Sequence, residues 1–234
     1  MNFPVLNAER RVVVHRQGAE RQPVIVVDDV FADPDAWRSA AESGAYTRVG
    51  PHYPGIRSFV DRDWADAMRD ELVPLLADTF GLDPVPQVLE TYFSIVTTPP
   101  EQLAPIQRLP HFDGFEAERI AVLVYLSGAD QGGTAFYRQR ATGFESVDRT
   151  RFPAFEAALN EGIARHGLPE AGYIDGDTPI YERVATYEAR PNRALIYRSQ
   201  TLHCAAIPPG LPLSADPARG RLSINSFLFD GRRW

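Results

Sequence analysis

His111 and Asp113 form the first pair of residues in this sequence with the types and spacing of a metal site. They stand two positions apart in the segment LPHFDGF, so in an extended backbone both side chains leave the same face of the chain and can reach one ion. One histidine and one carboxylate need a third ligand to complete the facial triad that holds non-haem iron. The H-x-D pattern is short enough to occur by chance in a solvated loop, so a third ligand decides between the two interpretations.

His203 is the candidate third ligand. It ends the segment NRALIYRSQTLH, after a predicted strand that begins near Ala194, and lies 92 residues beyond His111. A local zinc motif keeps its ligands much closer in sequence, so this pair requires a fold that brings distant strands together, as a β-barrel does. Taken alone, His203 can equally be a core or turn histidine beside Cys204.

A polar face follows on a strand near the end of the chain. The segment RGRLSINSFLF alternates, which places Arg221, Ser223 and Asn225 on one face. If that face lines an interior, Arg221 is placed for a bidentate contact with a small carboxylate, and Ser223 can donate a further hydrogen bond. A solvated outer face is the alternative, and Arg219, which shares the face, is the rival cation.

Arginine carries all of the positive side-chain charge. The chain has 24 arginines, no lysine and 31 acidic residues, for a net charge of −7. Without a lysine amine, neither a Schiff-base enzyme nor a P-loop nucleotide site can be built. Any side-chain cation that holds an anion must be arginine, and the acidic balance argues against nucleic acid as a partner.

Cysteine content and hydropathy indicate the cellular compartment in which the protein is expected. Cys204 is the only cysteine, so no disulfide within the chain and no multi-cysteine zinc site can form. The N-terminal residues lack an apolar signal core, and no apolar run approaches the roughly 20 residues that span a membrane. We therefore expect a cytoplasmic protein that does not bind membranes.

The first third of the chain predicts one strand and two helices. Residues 23–31 form a β-branched run typical of a buried strand, and residues 34–43 predict a helix capped by Asp33. A second helix starts near Asp61, and Pro74 is expected to kink or split it. Between them, the segment HYPGIRS is interpreted as a surface turn at Gly55, although its His52 and Arg57 could reach the mouth of a site and contact substrate.

From about residue 88 onward, short apolar runs separated by Gly, Pro and Asn predict strands. One helix, at residues 152–166, interrupts them, with Gly167 beyond its end. The 20 prolines also favour a fold of strands and loops over a helical bundle. The predicted strands cover residues 88–97, 120–126, 134–137, 181–187, 194–198 and 221–229.

The order of these features resembles the Fe(II)/2-oxoglutarate-dependent dioxygenase superfamily. H-x-D, a long gap, a histidine at the end of a strand and R-x-S on the next strand follow one another, and the runs TYFSIV, RIAVLVYLS, GADQGGTAFY and ALIY resemble successive strands of that family. Within it, the likeness is to the prolyl-4-hydroxylase-like branch and a related, poorly characterised bacterial family. It runs from about Val88 to Phe229, and the leading segment PVIVVDDVFADPDAW also looks like the bacterial family.

The resemblance implies a set of site residues. His111, Asp113 and His203 would be the Fe(II) ligands. Arg221 would bind the distal carboxylate of 2-oxoglutarate, with Ser223 or Tyr92 assisting. Two features depart from the family: the 18 residues from His203 to Arg221 are more than usual, which keeps Arg219 in question, and the lysine that this branch often uses for the carboxylate is absent.

The resemblance also implies a fold, mainly β with flanking helices, built as a double-stranded β-helix, which is a jelly-roll or cupin-like barrel. We expect a single domain over residues 1–234, in which 1–85 supply a strand and flanking helices. Residues 86–234 would form the barrel, with a helical insert near 141–180 as a candidate lid.

The implied function is hydroxylation or another oxidation of a C–H bond, with O2 and 2-oxoglutarate consumed and succinate and CO2 released. The substrate would be an amino acid, a peptide or a small metabolite, and the oligomeric state stays open. Because related halogenases replace the carboxylate ligand with a small residue, Asp113 favours oxygen chemistry. The alternatives are a cupin-type metalloenzyme, which would need H-x-H followed by glutamate, and a barrel that binds a ligand without turnover.

Overall fold

The structure is a computed structural model that describes residues 5–82, 85–128 and 130–230. Within these ranges the chain forms ten β-strands, three α-helices and two short 3-10 helices, so the fold is mainly β, as the sequence predicts. None of the helices in these ranges is both long enough and apolar enough to cross a bilayer.

The strands and helices are named here in chain order. The strands are β1 Arg11–Gln17, β2 Gln22–Asp28, β3 Gly55–Phe59, β4 Gln87–Val96, β5 Arg119–Tyr125, β6 Gly133–Gln139, β7 Tyr181–Glu188, β8 Arg193–Arg198, β9 His203–Ala206 and β10 Arg221–Phe229. The α-helices are α1 Pro34–Glu42, α2 Arg62–Phe80 and α3 Phe152–His166, and the 3-10 helices are Pro100–Gln102 and Pro105–Arg108.

Seven strands form a large antiparallel sheet in the order β1-β2-β8-β5-β10-β4-β3. One face of this sheet packs on α1 and α2, where Trp37, Met68 and Leu76 meet Ile196 and Ile224 in the largest hydrophobic cluster. Because adjacent residues of a strand point to opposite faces, the alternate residues of β4, β5, β8 and β10 point away from these helices.

The second sheet has three antiparallel strands in the order β7-β6-β9. Phe136 of β6 packs with Leu123, Leu195 and Tyr197 of the large sheet, so the two sheets face each other. On its other side, the small sheet packs against α3 through a cluster that contains Phe155. Ser223 and Asn225 of β10 lie opposite Tyr125 and Leu123 of the Phe136 cluster, so the polar face of β10 also points into the space between the sheets.

Helix α3 and strand β10 have the bounds that the sequence predicts, and the other predicted strands and helices agree to within a few residues. Three further strands, β1, β3 and β9, were not predicted. Strand β1 carries three consecutive valines that are all exposed, so it lacks the alternation that marks a half-buried strand. Strand β3 has only five residues and pairs with β4, far away in sequence.

Of the two outcomes predicted for Pro74, a kink or a split, the split is wrong, because α2 runs without interruption from Arg62 to Phe80. A proline inside a helix removes one backbone hydrogen bond and crowds the preceding turn. Packing compensates here, since Met68 and Leu72 before the proline and Leu76 and Phe80 after it all lie in the main core. Burial on both sides of Pro74 holds the helix together.

Candidate metal centre

His111 and His203 lie directly opposite each other across an antiparallel bridge. The His111 amide donates to the His203 carbonyl at 2.9 Å, and the His203 amide donates to the His111 carbonyl at 2.8 Å. Residues opposed in this way present their side chains on the same face, and the two imidazole rings have their centroids 4.4 Å apart. Backbone pairing therefore brings the two predicted histidine ligands together.

Asp113 is held beside the histidines by its own backbone. Its amide donates to the Ser199 carbonyl at 2.7 Å, and its carbonyl accepts from Arg119 Nη1 at 2.8 Å. The carboxylate Oδ1 lies 3.7 Å from His111 Nε2, and Oδ2 lies 3.3 Å from His203 Nε2. All three potential ligand atoms fall within 4.8 Å of one another, an arrangement no other His, Cys, Asp or Glu group of the described residues shows.

A carbonyl group fixes the tautomer of His203. His203 Nδ1 lies 2.9 Å from the Thr201 carbonyl oxygen, which can only accept, so Nδ1 carries a proton and donates. In the neutral ring, Nε2 then bears the lone pair that a metal requires. The ring also contacts Tyr197 edge-on at 4.9 Å and lies 6.2 Å from Phe136, between centroids, so its orientation is fixed.

The environment keeps two of the ligands in their metal-binding protonation states. Burial, together with positive charge on His203, lowers the pKa of His111 to about 4, although 49% of its side-chain surface remains open to the cavity. Burial alone would raise the pKa of Asp113, but the charge and hydrogen bond of His203 and the charge of His111 lower it to about 2. A neutral imidazole and an ionised carboxylate are the forms that bind a cation.

A cavity of about 670 Å³ opens onto the three ligand residues. One wall is the polar face of β10, with Arg221, Ser223 and Asn225. Apolar side chains also line the cavity, including Phe152 and Phe155 of α3, within the insert predicted as a lid. This volume lies within the range of small-molecule sites, roughly 300–1,000 Å³.

Arg221 is buried in the cavity wall, with 4% of its surface exposed. Its Nε donates to the Gln131 carbonyl at 3.0 Å and its Nη2 to the Gly133 carbonyl at 2.8 Å, which orients the guanidinium group. No carboxylate within the described ranges forms an ion pair with it. Beside it, Ser223 Oγ donates to Asn225 Oδ1 at 2.9 Å.

Arg219 lies elsewhere. Its side chain is 83% exposed and stands 3.7 Å from the carboxylate of Asp216. It is not among the residues that line the cavity. Of the two arginines that the sequence leaves in competition, the structure places Arg221 at the cavity and Arg219 at the surface.

Tyr92 is buried, but its hydroxyl does not line the cavity. The hydroxyl donates to Glu90 Oε2 at 2.7 Å, and burial together with Glu90 raises the pKa of Tyr92 to about 12. The ring lies beside Phe59, with centroids 4.7 Å apart, and 5.0 Å from the guanidinium carbon of Arg57. Tyr92 therefore supports Arg57 rather than Arg221.

Arg57 lines the cavity from strand β3, so the interpretation of its segment as a surface turn holds for residues 52–54 and is wrong from Gly55 onward. Strand pairing with β4 turns the segment inward, because Arg57 lies opposite Ser94. The segment GIRSF does not alternate between apolar and polar residues, and five residues are too few to separate a strand from a turn. Thr201 and Tyr197, which orient His203, have no motif that sequence reasoning could have used.

Comparison with known proteins gives a family. Residues 8–228 match the family described as "Family of unknown function (DUF6445)", and the chain belongs to it. No curated protein matches the chain.

Similar solved structures include the non-haem alpha-ketoglutarate-dependent epimerase SnoN of nogalamycin biosynthesis, with 14% identity, a TM-score of 0.49 and coverage of 90% of this chain and 78% of that one. HygX from Streptomyces hygroscopicus has 14% identity, a TM-score of 0.48 and coverage of 90% and 84%. An N-substituted L-amino acid dioxygenase from Burkholderia ambifaria AMMD has 16% identity, a TM-score of 0.41 and coverage of 91% and 84%. At these identities the likeness concerns the fold alone.

Proposed function

We propose that this member of the DUF6445 family is an Fe(II)- and 2-oxoglutarate-dependent oxygenase. The observation that carries the proposal is the cluster of His111, Asp113 and His203 at the wall of a cavity. Two imidazoles and one carboxylate with open positions are the donor set typical of non-haem Fe(II) oxygenases. Cys204, the only cysteine, is outside this set, and the oxygen and nitrogen donors suit Fe(II).

The contacts of His203 support a bound cation. With Nδ1 donating to Thr201, Nε2 faces the Asp113 carboxylate at 3.3 Å. Either a proton or a metal ion on Nε2 satisfies this contact, and metal binding displaces the proton. A divalent metal held by the three residues satisfies both groups at once.

Arg221 fits the role of cosubstrate anchor. It is a buried cation in the same cavity, and no acidic side chain within the described ranges is paired with it. A buried charge without a counter-charge is costly, so a carboxylate ligand would stabilise it. We assign to Arg221 the distal carboxylate of 2-oxoglutarate, with Ser223 as a hydrogen-bond donor once its hydroxyl turns from Asn225 to the ligand.

The remaining residues orient the reactants and keep water out. Bound Fe(II), 2-oxoglutarate and O2 would supply the oxidising chemistry, with one oxygen atom ending in succinate, the other in the product, and CO2 released. Thr201 and Tyr197 fix the His203 ring, and the aromatic side chains of α3 give the cavity an apolar wall. Such a wall excludes water, which strengthens the electrostatic contacts inside.

The proposal extends to the reaction and the fold. We propose hydroxylation, or a related oxidation, of a C–H bond of a small molecule or peptide, in a double-stranded β-helix of the jelly-roll type. The carboxylate of Asp113 occupies the position that a halide would need, which supports oxygen transfer over halogenation. The segment with α3 contributes cavity wall, in keeping with a role in substrate selection.

Formation of succinate from 2-oxoglutarate tests the proposal. Purified protein with Fe(II) in air should convert 2-oxoglutarate to succinate, slowly without substrate and faster with an accepted one. Asp113→Ala should abolish this conversion, and His166→Ala, at an exposed histidine of α3, should leave it intact. Tight Fe(II) binding without succinate formation across candidate substrates would contradict turnover and favour a barrel that only binds.

A further inference from the structure

Arg57 is a second arginine at the cavity that has no acidic partner among the residues that the structure describes. Its guanidinium carbon lies 4.1 Å from the ring centroid of Tyr53 and 5.0 Å from that of Tyr92. Two aromatic rings hold a planar cation by cation–π attraction and restrict its rotation. Arg57 is therefore positioned by its neighbours before any ligand binds.

Polar groups around Arg57 have few partners. Arg57 Nε is buried without a hydrogen-bond partner in the described part of the chain, and Tyr53 Oη and Ser94 Oγ, which are also buried, have only each other within reach. Ser94 is 0% exposed and lies opposite both Arg57 and Ser223 in the pairing of β3, β4 and β10. Because buried polar groups in proteins are nearly always satisfied, this cluster points to a ligand with acceptor oxygens.

The charges nearby do not neutralise Arg57. The cavity wall carries three acids: Asp113, Glu90 and Glu156. Asp113 is the candidate metal ligand, Glu90 accepts from the Tyr92 hydroxyl, and Glu156 is exposed on α3. Among the described residues none of them forms an ion pair with Arg57.

Arg57 and Arg221 occupy separate places on the same face of the sheet. Arg57 is on edge strand β3, and Arg221 is two strands away on β10, roughly 10 Å across the sheet. Tyr53 is close enough to both arginines to be affected by their charges. Burial raises the pKa of Tyr53, and the positive charges of Arg221 and Arg57 oppose that rise. If Arg221 binds one carboxylate of 2-oxoglutarate, that carboxylate neutralises Arg221 and does not neutralise the guanidinium group of Arg57.

We infer that Arg57 binds a carboxylate of the molecule that is oxidised. The inference rests on the proposed function, because it assigns Arg221 to 2-oxoglutarate. The planar edge of the guanidinium group suits a carboxylate, and Tyr53 and Ser94 add hydroxyl donors. The apolar wall formed by Leu109, Phe152 and Phe155 takes the rest of the substrate. The substrate class is thus a carboxylic acid with an apolar body.

Calorimetric titration with an acid and its neutral amide tests this inference. The probes are 3-phenylpropionate and 3-phenylpropionamide, added to full-length protein that holds Mn(II), used in place of Fe(II) to prevent turnover, and saturating 2-oxoglutarate. We expect wild type to prefer the acid by about 10- to 100-fold, the size of a charge-assisted contact. Arg57→Gln should remove this preference and leave the amide affinity unchanged, which also shows that the cavity is still folded.

Two further variants sharpen the test. Arg57→Lys keeps the charge without the planar fork and should retain part of the preference. Arg219→Gln, at the exposed arginine, should behave as wild type. Equal binding of acid and amide to wild type, or failure of both to bind at millimolar concentration, would overturn the inference. An acid preference that survives in Arg57→Gln would overturn it too.

The design separates this inference from the proposed function. Titration of 2-oxoglutarate into the Mn(II) protein comes first, and absence of binding there would count against the proposed function. The affinities for the acid and the amide are also measured without 2-oxoglutarate. An acid preference that depends on Arg57 under those conditions supports the inference whether or not 2-oxoglutarate binds. If Arg57→Gln weakens 2-oxoglutarate rather than 3-phenylpropionate, Arg57 belongs to the cosubstrate and the inference is wrong.

Discussion

His111 and His203 exchange both backbone hydrogen bonds of one antiparallel bridge, at 2.9 and 2.8 Å, although 92 residues separate them in sequence. Strand pairing, and not the side chains, brings the two imidazoles to a centroid distance of 4.4 Å. The candidate metal centre is therefore preformed by the fold. A preformed site binds a metal without the cost of ordering its ligands.

Loss of one ligand should remove metal stabilisation without removing the fold. In His111→Ala the backbone bridge stays, so we expect the metal-free protein to unfold at nearly the temperature of wild type. Added Mn(II) at about 100 times its Kd should stabilise wild type by about 2.7 kcal/mol and the variant far less. Thermal unfolding with and without metal measures this, with His166→Ala as the control. A metal-induced shift of equal size in His111→Ala would contradict the assignment.

Arg221→Gln should weaken 2-oxoglutarate binding and leave metal binding intact. Loss of a buried charge-assisted contact of about 1.5–3 kcal/mol corresponds to roughly 10- to 150-fold in Kd. Arg219→Gln should have no effect, because that side chain is exposed and outside the cavity. Calorimetric titration with Mn(II) present gives both affinities. Equal weakening by the two variants would show that the contact is not specific to Arg221.

The ion pair between Asp28 and Arg193 should make the free energy of unfolding fall in acid. Arg193 contacts both carboxylate oxygens of Asp28, at 2.5 and 3.1 Å, and these hydrogen bonds hold the pKa of Asp28 below its usual value despite partial burial. Since the folded pKa lies below the unfolded one, this stabilisation is present at neutral pH and is lost as pH falls below about 4. We expect Asp28→Asn to lower the free energy of unfolding at pH 7 by about 1–3 kcal/mol.

In Asp28→Asn, the free energy of unfolding should differ less between pH 7 and pH 3 than it does in wild type. Urea unfolding at the two pH values measures this. Glu161→Gln is the matched control, because Glu161 pairs with Arg165 on the exposed surface of α3 and such pairs contribute little. If the free energy of unfolding of Asp28→Asn depended on pH as that of wild type does, the ion pair would not be the cause of the loss of stability in acid.

Gly55, the glycine that begins strand β3, should be sensitive to substitution. A Cβ atom there would lie 2.0 Å from the Ile95 carbonyl oxygen and 2.9 Å from the Tyr53 ring, so the strand would have to move away from β4. We expect Gly55→Ala to destabilise the protein by about 1–3 kcal/mol and to displace Arg57. Gly172→Ala, where a Cβ meets nothing within 4 Å, is the control. Urea unfolding compares the two, and equal stabilities would show that β3 adjusts without cost.

The sequence was informative where a pattern was long or where residue types were chemically specific. Helix α3 and strand β10 have the predicted bounds because helical spacing and strict alternation extend over whole elements. His111, Asp113 and His203 were found by type and order, and the structure brings them together.

Other features depend on tertiary contacts that leave little trace in the sequence. The inward direction of Arg57 follows from the pairing of a five-residue strand with β4, about 37 residues further along the chain. Continuity of α2 through Pro74 depends on core packing on both sides of the proline. The Tyr92 hydroxyl donates to Glu90, two residues away. Alternation along a strand does not tell which polar group such a hydroxyl contacts.

The most direct test of the proposed function is the visible spectrum of the protein with Fe(II) and 2-oxoglutarate under anaerobic conditions. Wild type and His166→Ala should show the weak charge-transfer band of the metal chelate, and His203→Ala should lack it. That result would establish the metal site and the cosubstrate together. Absence of the band in wild type despite tight metal binding, or an undiminished band in His203→Ala, would contradict the account.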